Sequence, residues 1–369
     1  MNLPDKNEVL KKEKRIRGYL EAKGYDAMII GRQDNFAWLT DGGTSKVISS
    51  SETGFSLLVI TQTAKYLISQ VMDGKRVMDE ELAGLDFEYI PLWWYECTIE
   101  EKAMKLLEGC KVVSDINIEG AACLTGEIYH LHYPLTDKEI QKLRWLGART
   151  EECISKVVYD IVPGMEEYEI EARLLYELAK NNISTDVLLV GSDERISKYR
   201  HPNPSNKKVD KYIMLHPVAR KWGLHANVTR LVYFGDCIPQ EILRKYNAAS
   251  QIEAAAISMC KPGVRFCDIL RCQQRLYMEL GFEEEWRNHF QGGITGYMVA
   301  DATLCRNPEN VVMDNQAYDW FITITGTKVE ELSVSTAGKQ EVLSVNGYWP
   351  AEKFAYNGVE FDLPIILRR

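Results

Sequence analysis

The sequence predicts a protein of two domains, an α/β domain followed by an α+β domain built from two similar halves. Its 369 residues, of which 46% are hydrophobic and 26% charged, suffice for two hydrophobic cores. Short runs rich in β-branched residues alternate with helical patterns in the first part of the chain. A pattern of helix, Pro-Gly turn, helix and strand then occurs twice, which indicates a duplicated unit.

The first domain is predicted to begin with a helix over residues 6–23, where apolar residues recur among charges at helical spacing. Strand-like runs follow in "AMII" (27–30), "FSLLVIT" (55–61) and "KYLIS" (65–69). In "YHLHYPLTDKE" a proline and polar residues precede a long helical pattern over about 137–160, which is typical of a domain connection. We therefore expect domains of residues 1–135 and 136–369.

The second domain contains the repeated pattern. "VPGMEEYEI" (162–170) and "KPGVRFCDI" (261–269) each place Pro-Gly after a long helical segment, with an isoleucine at the same offset. A second helical segment and strand-like sequence follow each of them. Two such halves predict an α+β unit with a pseudo-twofold axis. The alternative is that Pro-Gly, a common helix breaker, recurs by chance.

Composition excludes several classes of function. The nine cysteines show no CxxC or other paired spacing, so reduced thiols in a cytoplasmic protein are expected. The net charge of -9 comes without a basic stripe, which argues against nucleic acid as a partner. No apolar run approaches a membrane span, and the opening "MNLPDKNEVLKKEKRIRGYL" is too polar for a secretory signal, so no membrane partner is expected.

Four stretches of the second domain resemble, in order and spacing, the motifs of peptidase family M24, which includes prolidase, aminopeptidase P and creatinase. They are "YRHPNP" (199–204), "HANVTRLVYFG" (225–235), "NHFQGGITGY" (288–297) and "GTKVEELSV" (326–334). The resemblance implies the "pita-bread" fold for residues 136–369 and a creatinase-like α/β domain before it.

The resemblance also implies where the family's metal ligands would fall. The family binds two divalent cations with two aspartates, a histidine and two glutamates. The aspartates fall on His216 and Asn227, the histidine on Gly293, and the first glutamate near Phe321, which leaves Glu330 as the only carboxylate. Because one carboxylate cannot balance two dications, we expect no dinuclear centre and no cofactor. A single metal ion bound by His216, Glu330 and Asn227 is an alternative.

Creatinase provides a precedent for activity without metal, because it has this fold, lacks the metal ligands and hydrolyses a C–N bond with a histidine as proton shuttle. Its histidine corresponds to His201, and imidazole, with a pKa of about 6.5, can accept and return a proton near neutral pH. Glu330 would orient the substrate, but Thr229 stands where creatinase has another glutamate. A less cationic amide, ureido or amidine-type compound is therefore expected rather than creatine. The remaining residues assigned to substrate binding are His216, Asn227, His289, Gly293 and Phe321.

In the first domain, "GRQDNFAWLTDGG" (31–43) occupies the place of a segment that reaches the partner's active site in creatinase-like dimers. The resemblance therefore implies a homodimer in which Arg32 and Trp38 contact the partner's substrate, with Arg32 gripping an anionic or carbonyl group. The alternative is an ordinary polar turn between a strand and a helix.

Three hypotheses of function follow. The favoured one is a metal-independent, creatinase-like hydrolase of a C–N bond in a small molecule, with His201 as acid and base. The second is an Xaa-Pro aminopeptidase or dipeptidase that acts on short peptides with a reduced metal site. The third is a catalytically silent member that binds a ligand in the same pocket. Under each hypothesis, Arg230 is expected to be a structural salt-bridge or site-wall residue rather than a catalyst. Glu330 and Glu331 are expected to point to opposite faces of a strand.

Overall fold

The computed structural model describes residues 4–369, and these form two compact units. The first unit ends at Tyr133 and the second begins at Pro134. Among the helices of residues 4–369, none is long and apolar enough to cross a membrane.

The first unit is an α/β domain around one mixed sheet. Its helices are α1 (Lys6–Lys23), α2 (Gln33–Leu39), α3 (Val71–Arg76), which a π-helical turn (Val77–Glu81) extends, α4 (Ile99–Leu106) and α5 (Thr125–Tyr129). Its strands are β1 (Ala27–Arg32), β2 (Thr53–Thr61), β3 (Lys65–Gln70), β4 (Glu88–Leu92), β5 (Val112–Ser114) and β6 (Ala122–Cys123). They lie in the order β4-β3-β2-β1-β5-β6, antiparallel where β2 meets β1 and β3 and parallel at the other pairs.

Helix α1 has the bounds that its sequence predicts. The side chain of Asp5 accepts a hydrogen bond from the backbone N–H of Asn7 at 2.9 Å and so caps the first turn. The helix ends at Gly24, whose φ of 71° lies in the left-handed region that glycine adopts without strain. Ile16 and Leu20 are fully buried on the inner face of the helix.

The second unit contains four long helices and several small sheets. Its helices are α6 (Asp137–Val158), α7 (Glu167–Ala179), α8 (Glu194–Lys198), α9 (Gln240–Met259) and α10 (Phe266–Glu279), with two short 3₁₀ helices (Glu285–Asn288 and Leu304–Arg306). The first group of strands is β7 (Ser184–Ser192), β8 (Tyr212–Lys221), β9 (Leu224–Asn227), β10 (Arg230–Tyr233) and β11 (Gly292–Thr295). The second is β12 (Gln316–Trp320), β13 (Ile322–Ile324), β14 (Thr327–Val329), β15 (Leu332–Thr336), β16 (Lys339–Val342), β17 (Ala351–Tyr356), β18 (Val359–Pro364) and β19 (Leu367–Arg368).

Strands β19-β10-β8-β7 form one sheet, in which β9 also pairs with β8, and β11-β12-β15-β16 form another. Strand β13 pairs with β14, and β17 pairs with β18. Helices α6 and α7 precede the first sheet, and α9 and α10 precede the second.

The predicted duplication is confirmed by matching turns in the two halves. After α6, the N–H of Gly164 donates to the carbonyl of Val209, and after α9, the N–H of Gly263 donates to the carbonyl of Val312. Both glycines have positive φ, 95° and 88°, which explains why each turn requires glycine. In each half an isolated β-bridge follows two residues after the glycine. The Pro-Gly echo is therefore a structural repeat.

A buried ion pair fixes the strands that carry the polar residues described below. Arg230 on β10 contacts Glu331 Oε1 at 2.5 Å, lies 3.8 Å from Glu151 on α6, and donates to the carbonyl of Ser344 at 2.6 Å. Neither Arg230 nor Glu331 has exposed side-chain area. Removing one partner of such a pair leaves a buried charge and costs about 3–5 kcal/mol. The structural role expected for Arg230 is confirmed.

Candidate functional site

Six polar side chains of the second unit lie together, each of them at most 3% exposed, and we call them the buried cluster. They are His216, Asn227, Thr229, Asp319, Lys328 and Glu330. Strand β8 supplies the histidine, β9 ends at the asparagine, β12 supplies the aspartate and β14 the lysine. The N–H of Thr229 donates to the carbonyl of Glu330 at 3.1 Å, which joins the strand ends that carry the two residues.

An ion pair lies at the centre of the buried cluster. Lys328 Nζ is 2.5 Å from Glu330 Oε2, because residues two apart on an extended chain share a face. His216 Nδ1 is 3.5 Å from the same oxygen and 3.0 Å from Thr229 Oγ1. The aromatic ring of Phe321, which is itself buried, has its centroid 5.8 Å from Lys328 Nζ. The ammonium group thus neutralises the carboxylate of Glu330.

Asp319 supplies a second carboxyl group to the buried cluster. The side-chain amide of Asn227 donates to Asp319 Oδ2 and, at 3.2 Å, to the carbonyl of Val299. Burial and then repulsion from Glu330 raise the pKa of Asp319 well above its usual range. Burial also raises the pKa of Glu330, but Lys328 opposes this shift. The expectation that Glu330 is the only carboxylate here is therefore wrong.

The register of β11 and β12 explains this correction. Gly293 pairs with Asp319 across the two strands, whereas Phe321 lies beyond the end of β12. The aromatic side chain of Phe321 makes edge contacts with His289, at 5.8 Å between ring centroids, and with Phe290, at 5.2 Å. Phe321 is therefore an apolar wall beside the histidine, and Asp319 is the acidic residue opposite Gly293.

Two histidines form a pair next to the buried cluster. His201 Nε2 and His289 Nε2 are 3.1 Å apart, and His289 Nδ1 lies 2.6 Å from the carbonyl of Phe290. A carbonyl only accepts, so His289 Nδ1 carries the proton and its Nε2 accepts one from His201 Nε2. The lone pair of His201 is therefore on Nδ1.

The histidines are neutral at physiological pH. Burial lowers the pKa of His289 to about 4, and burial followed by the charge of Lys328 lowers the pKa of His201. Burial, Lys328 and the other two histidines lower the pKa of His216 well below its ordinary value. Lys328 thus acts electrostatically on all three rings, which places a positive charge close to the histidine pair.

The residues present do not fit a pair of divalent cations. A Cβ on Gly293 would lie 1.9 Å from the carbonyl oxygen of Asp301, so backbone fills the space that a histidine side chain needs. Asp319 already accepts a hydrogen bond from the Asn227 amide, and Glu330 is already paired with the Lys328 ammonium. Within residues 4–369, no group of three or more His, Cys, Asp or Glu is disposed to hold a metal ion.

The predicted residues of the first unit are held by contacts within that unit. Arg32 pairs with Asp34 at 3.0 Å and with Glu52 at 2.9 Å, and its side chain is 19% exposed. Trp38 has no exposed area and packs against His132 with ring centroids 5.8 Å apart. The structure thus places Trp38 in the core of its unit, while the Arg32 side chain is partly exposed.

Sequence reasoning missed Lys328 and Asp319, although strand alternation contains a signal for both. In "TKVEE" Lys328 shares a face with Glu330, and in "YDWF" Asp319 shares a face with Phe321. If Glu330 and Phe321 face the site, strand alternation therefore turns Lys328 and Asp319 toward it as well.

Comparisons with known proteins give a family match. Residues 141–318 match the model of metallopeptidase family M24. No sequence among the curated proteins matches the chain.

Solved structures share the fold at low sequence identity. The chain is similar to an Xaa-Pro dipeptidase from Bacillus anthracis, with 15% identity and a TM-score of 0.77 over 98% of this chain and 100% of that one. It is similar to a prolidase from Pyrococcus horikoshii, with 17% identity and a TM-score of 0.75 over 91% and 98%. It also resembles the N-terminal domain of FACT complex subunit SPT16 from chickpea, with 12% identity and a TM-score of 0.69 over 93% and 97%. The chain therefore has the expected fold, an α/β domain followed by a pita-bread domain.

Proposed function

Because the chain belongs to metallopeptidase family M24, we propose that it binds a short peptide or peptide-like amide and hydrolyses a C–N bond without the family's two metal ions. The observation that carries the proposal is the pair formed by His201 and His289, with a basic nitrogen left on His201. A neutral imidazole with a lowered pKa can take a proton from water and then deliver it to a leaving nitrogen.

The comparisons favour the peptidase alternative over the creatinase-like hypothesis for the class of ligand. The similar structures named above include an Xaa-Pro dipeptidase and a prolidase, whose substrates contain an amide rather than a guanidinium. The buried cluster supports the same choice, because Lys328 already pairs with the Glu330 carboxylate that a cationic guanidinium would need. An amide carbonyl, in contrast, gains negative charge as water attacks it.

The proposed reaction assigns a step to each group. His201 Nδ1 removes a proton from water, whose oxygen attacks the carbonyl carbon, and Lys328 stabilises the developing oxyanion. The C–N bond breaks when the protonated His201 donates to the departing nitrogen, which yields a carboxylic acid and an amine. His289 orients His201 through the bond between their Nε2 atoms.

The test is hydrolysis of a pool of dipeptides and small amides by protein dialysed against a chelator, with products identified by mass spectrometry. We expect wild type to consume a member of the pool and His201→Ala to lose the activity. His130→Ala, which removes an exposed histidine of the first unit, is the matched control and should retain it. Equal turnover by wild type and His201→Ala would remove His201 from the mechanism, and activity only after addition of Mn²⁺ or Zn²⁺ would favour a rebuilt metallopeptidase.

One observation favours a second function, the binding of a ligand without turnover. Lys328 is paired with the Glu330 carboxylate, which is therefore not free to bind substrate. The similar chickpea domain is named as part of a complex subunit, so the fold also occurs in a protein of that kind. A rise in melting temperature with a dipeptide that neither wild type nor metal-treated protein cleaves would favour this function.

Location and assembly are parts of the same proposal. All nine cysteines are free thiols, which supports a reducing, cytoplasmic location. The homodimer in which Arg32 reaches the partner's substrate stays a prediction, and light scattering of wild type and Arg32→Ala tests it.

A further inference from the structure

A cavity of about 460 Å³ lies beside helix α10, and we call it the α10 pocket. It is lined by Phe266, Leu270 and Gln273 of α10, by Gln291, by Trp320 of β12 and by Leu304. Successive residues of a strand point to opposite faces, so Trp320 faces away from the side on which Asp319 joins the buried cluster. The α10 pocket therefore meets β12 on the face opposite the buried cluster, and it adjoins the histidine pair because His289 also lines it.

The α10 pocket contains unpaired polar groups that a closed protein core would not leave. Gln273 has no exposed area, yet neither its carbonyl oxygen nor its amide nitrogen has a partner in the described chain. Gln291 is 6% exposed and donates to the carbonyls of Trp286 and His289, but its Oε1 also lacks a partner. Native proteins pair most such groups, so these three atoms offer hydrogen bonds to an occupant of the pocket.

The remaining walls define the rest of the ligand. Phe266, Leu270, Leu304 and the indole rings of Trp286 and Trp320 provide apolar and aromatic surface. None of the residues that line the pocket is acidic, and the charged residues among them are Arg287 and Arg306. Aromatic walls favour a flat ring, and a buried carboxamide is best matched by a group with one donor beside one acceptor.

We propose that the α10 pocket binds a flat aromatic molecule with a primary carboxamide or lactam edge, which pairs with the side chain of Gln273. The carbonyl of the ligand accepts from Gln273 Nε2, and its N–H donates to Gln273 Oε1 or Gln291 Oε1. The segment over residues 286–292 forms one wall of the pocket and carries His289, so an occupant touches the backbone that holds the histidine pair.

The test measures the binding of naphthamide by isothermal titration calorimetry, with N,N-dimethylnaphthamide as the matched probe that lacks the donor. We expect wild type to bind one naphthamide per chain and to bind the dimethyl compound roughly tenfold more weakly, since one neutral hydrogen bond is lost. Gln273→Leu should bind naphthamide at least tenfold more weakly, because it removes both partners and keeps the volume.

A second variant keeps the test decisive if Gln273→Leu fails to fold. Cys305 lines the pocket and is partly exposed, so Cys305→Trp should fill the cavity from its rim and abolish binding while the circular dichroism spectrum stays unchanged. The proposal is overturned if wild type shows no saturable binding up to millimolar naphthamide. It is also overturned if the dimethyl probe binds wild type as tightly, or if folded Gln273→Leu or Cys305→Trp retains full affinity.

Discussion

Replacing Lys328 with methionine is the perturbation that probes the buried cluster most sharply. Methionine keeps most of the volume of the side chain but removes the ammonium group that lies 2.5 Å from Glu330. The carboxylate would then be buried without a cation, since the lysine is 3% and Glu330 is 1% exposed. Removing one partner of a buried ion pair costs about 3–5 kcal/mol. For a unit of this size, we expect the melting temperature to fall by about 6–20 °C.

The loss should depend on pH with a defined sign. Lys328 is the main group that lowers the pKa of Glu330 against the effect of burial, so the variant should have a still higher pKa there. A carboxyl whose folded pKa exceeds its unfolded value of about 4.3 destabilises the folded state at higher pH. The stability lost in Lys328→Met should therefore be largest near neutral pH. It should shrink as the pH falls from the pKa of Glu330 in the folded state toward its unfolded value of about 4.3.

The assay is urea unfolding of wild type and Lys328→Met between about pH 5 and pH 8. Lys353→Met is the control, because its exposed pair with Glu360 should leave the midpoint unchanged. The double variant Lys328→Met with Glu330→Gln should recover most of the lost stability, since no unpaired charge remains. A loss of less than about 1 kcal/mol that is constant over this range would refute the buried ion pair.

Three further outcomes are expected. In chemical denaturation, Gly293→Ala should lower the free energy of unfolding by about 3 kcal/mol or more, because its Cβ would overlap a backbone carbonyl. Gly18→Ala, in the open middle of α1, should raise the free energy of unfolding by about 0.5–1 kcal/mol. In an NMR titration of the six histidines, His289 should titrate at about pH 4 and His216 should stay neutral well below pH 6.5; titration of His216 at pH 6.5 or above would contradict its burial. Thiol labelling of the native protein followed by mass spectrometry should leave Cys260 unlabelled and should first modify the exposed cysteines Cys110, Cys123 and Cys237.

Much of the fold could be predicted because local rules act over a few residues. The bounds of α1 follow from an Asp cap and a glycine stop, and the two Pro-Gly turns follow from the positive φ of Gly164 and Gly263. The opposite faces of Glu330 and Glu331 follow from strand periodicity, and their contacts with Lys328 and Arg230 confirm them.

The charge of the candidate site could not be predicted in the same way. Strand alternation places Asp319 on the same face as Phe321, but no short-range signal determines the pairing of β12 with β11 that sets Asp319 opposite Gly293. Lys328 is buried because tertiary contacts supply Glu330 and Phe321 as partners, whereas a lysine is ordinarily expected at the surface. The presence of His216 and Asn227 where the family has aspartates therefore indicated the loss of two metal-binding carboxylates. It did not indicate the ammonium group of Lys328.

The central claim is that the buried cluster, in which the Lys328 ammonium is paired with Glu330, replaces the family's two divalent cations. Elemental analysis of wild type, dialysed against excess Mn²⁺ and then freed of unbound ion, tests it most directly. The account predicts far less than one equivalent of metal per chain. Two tightly bound equivalents per chain would contradict it.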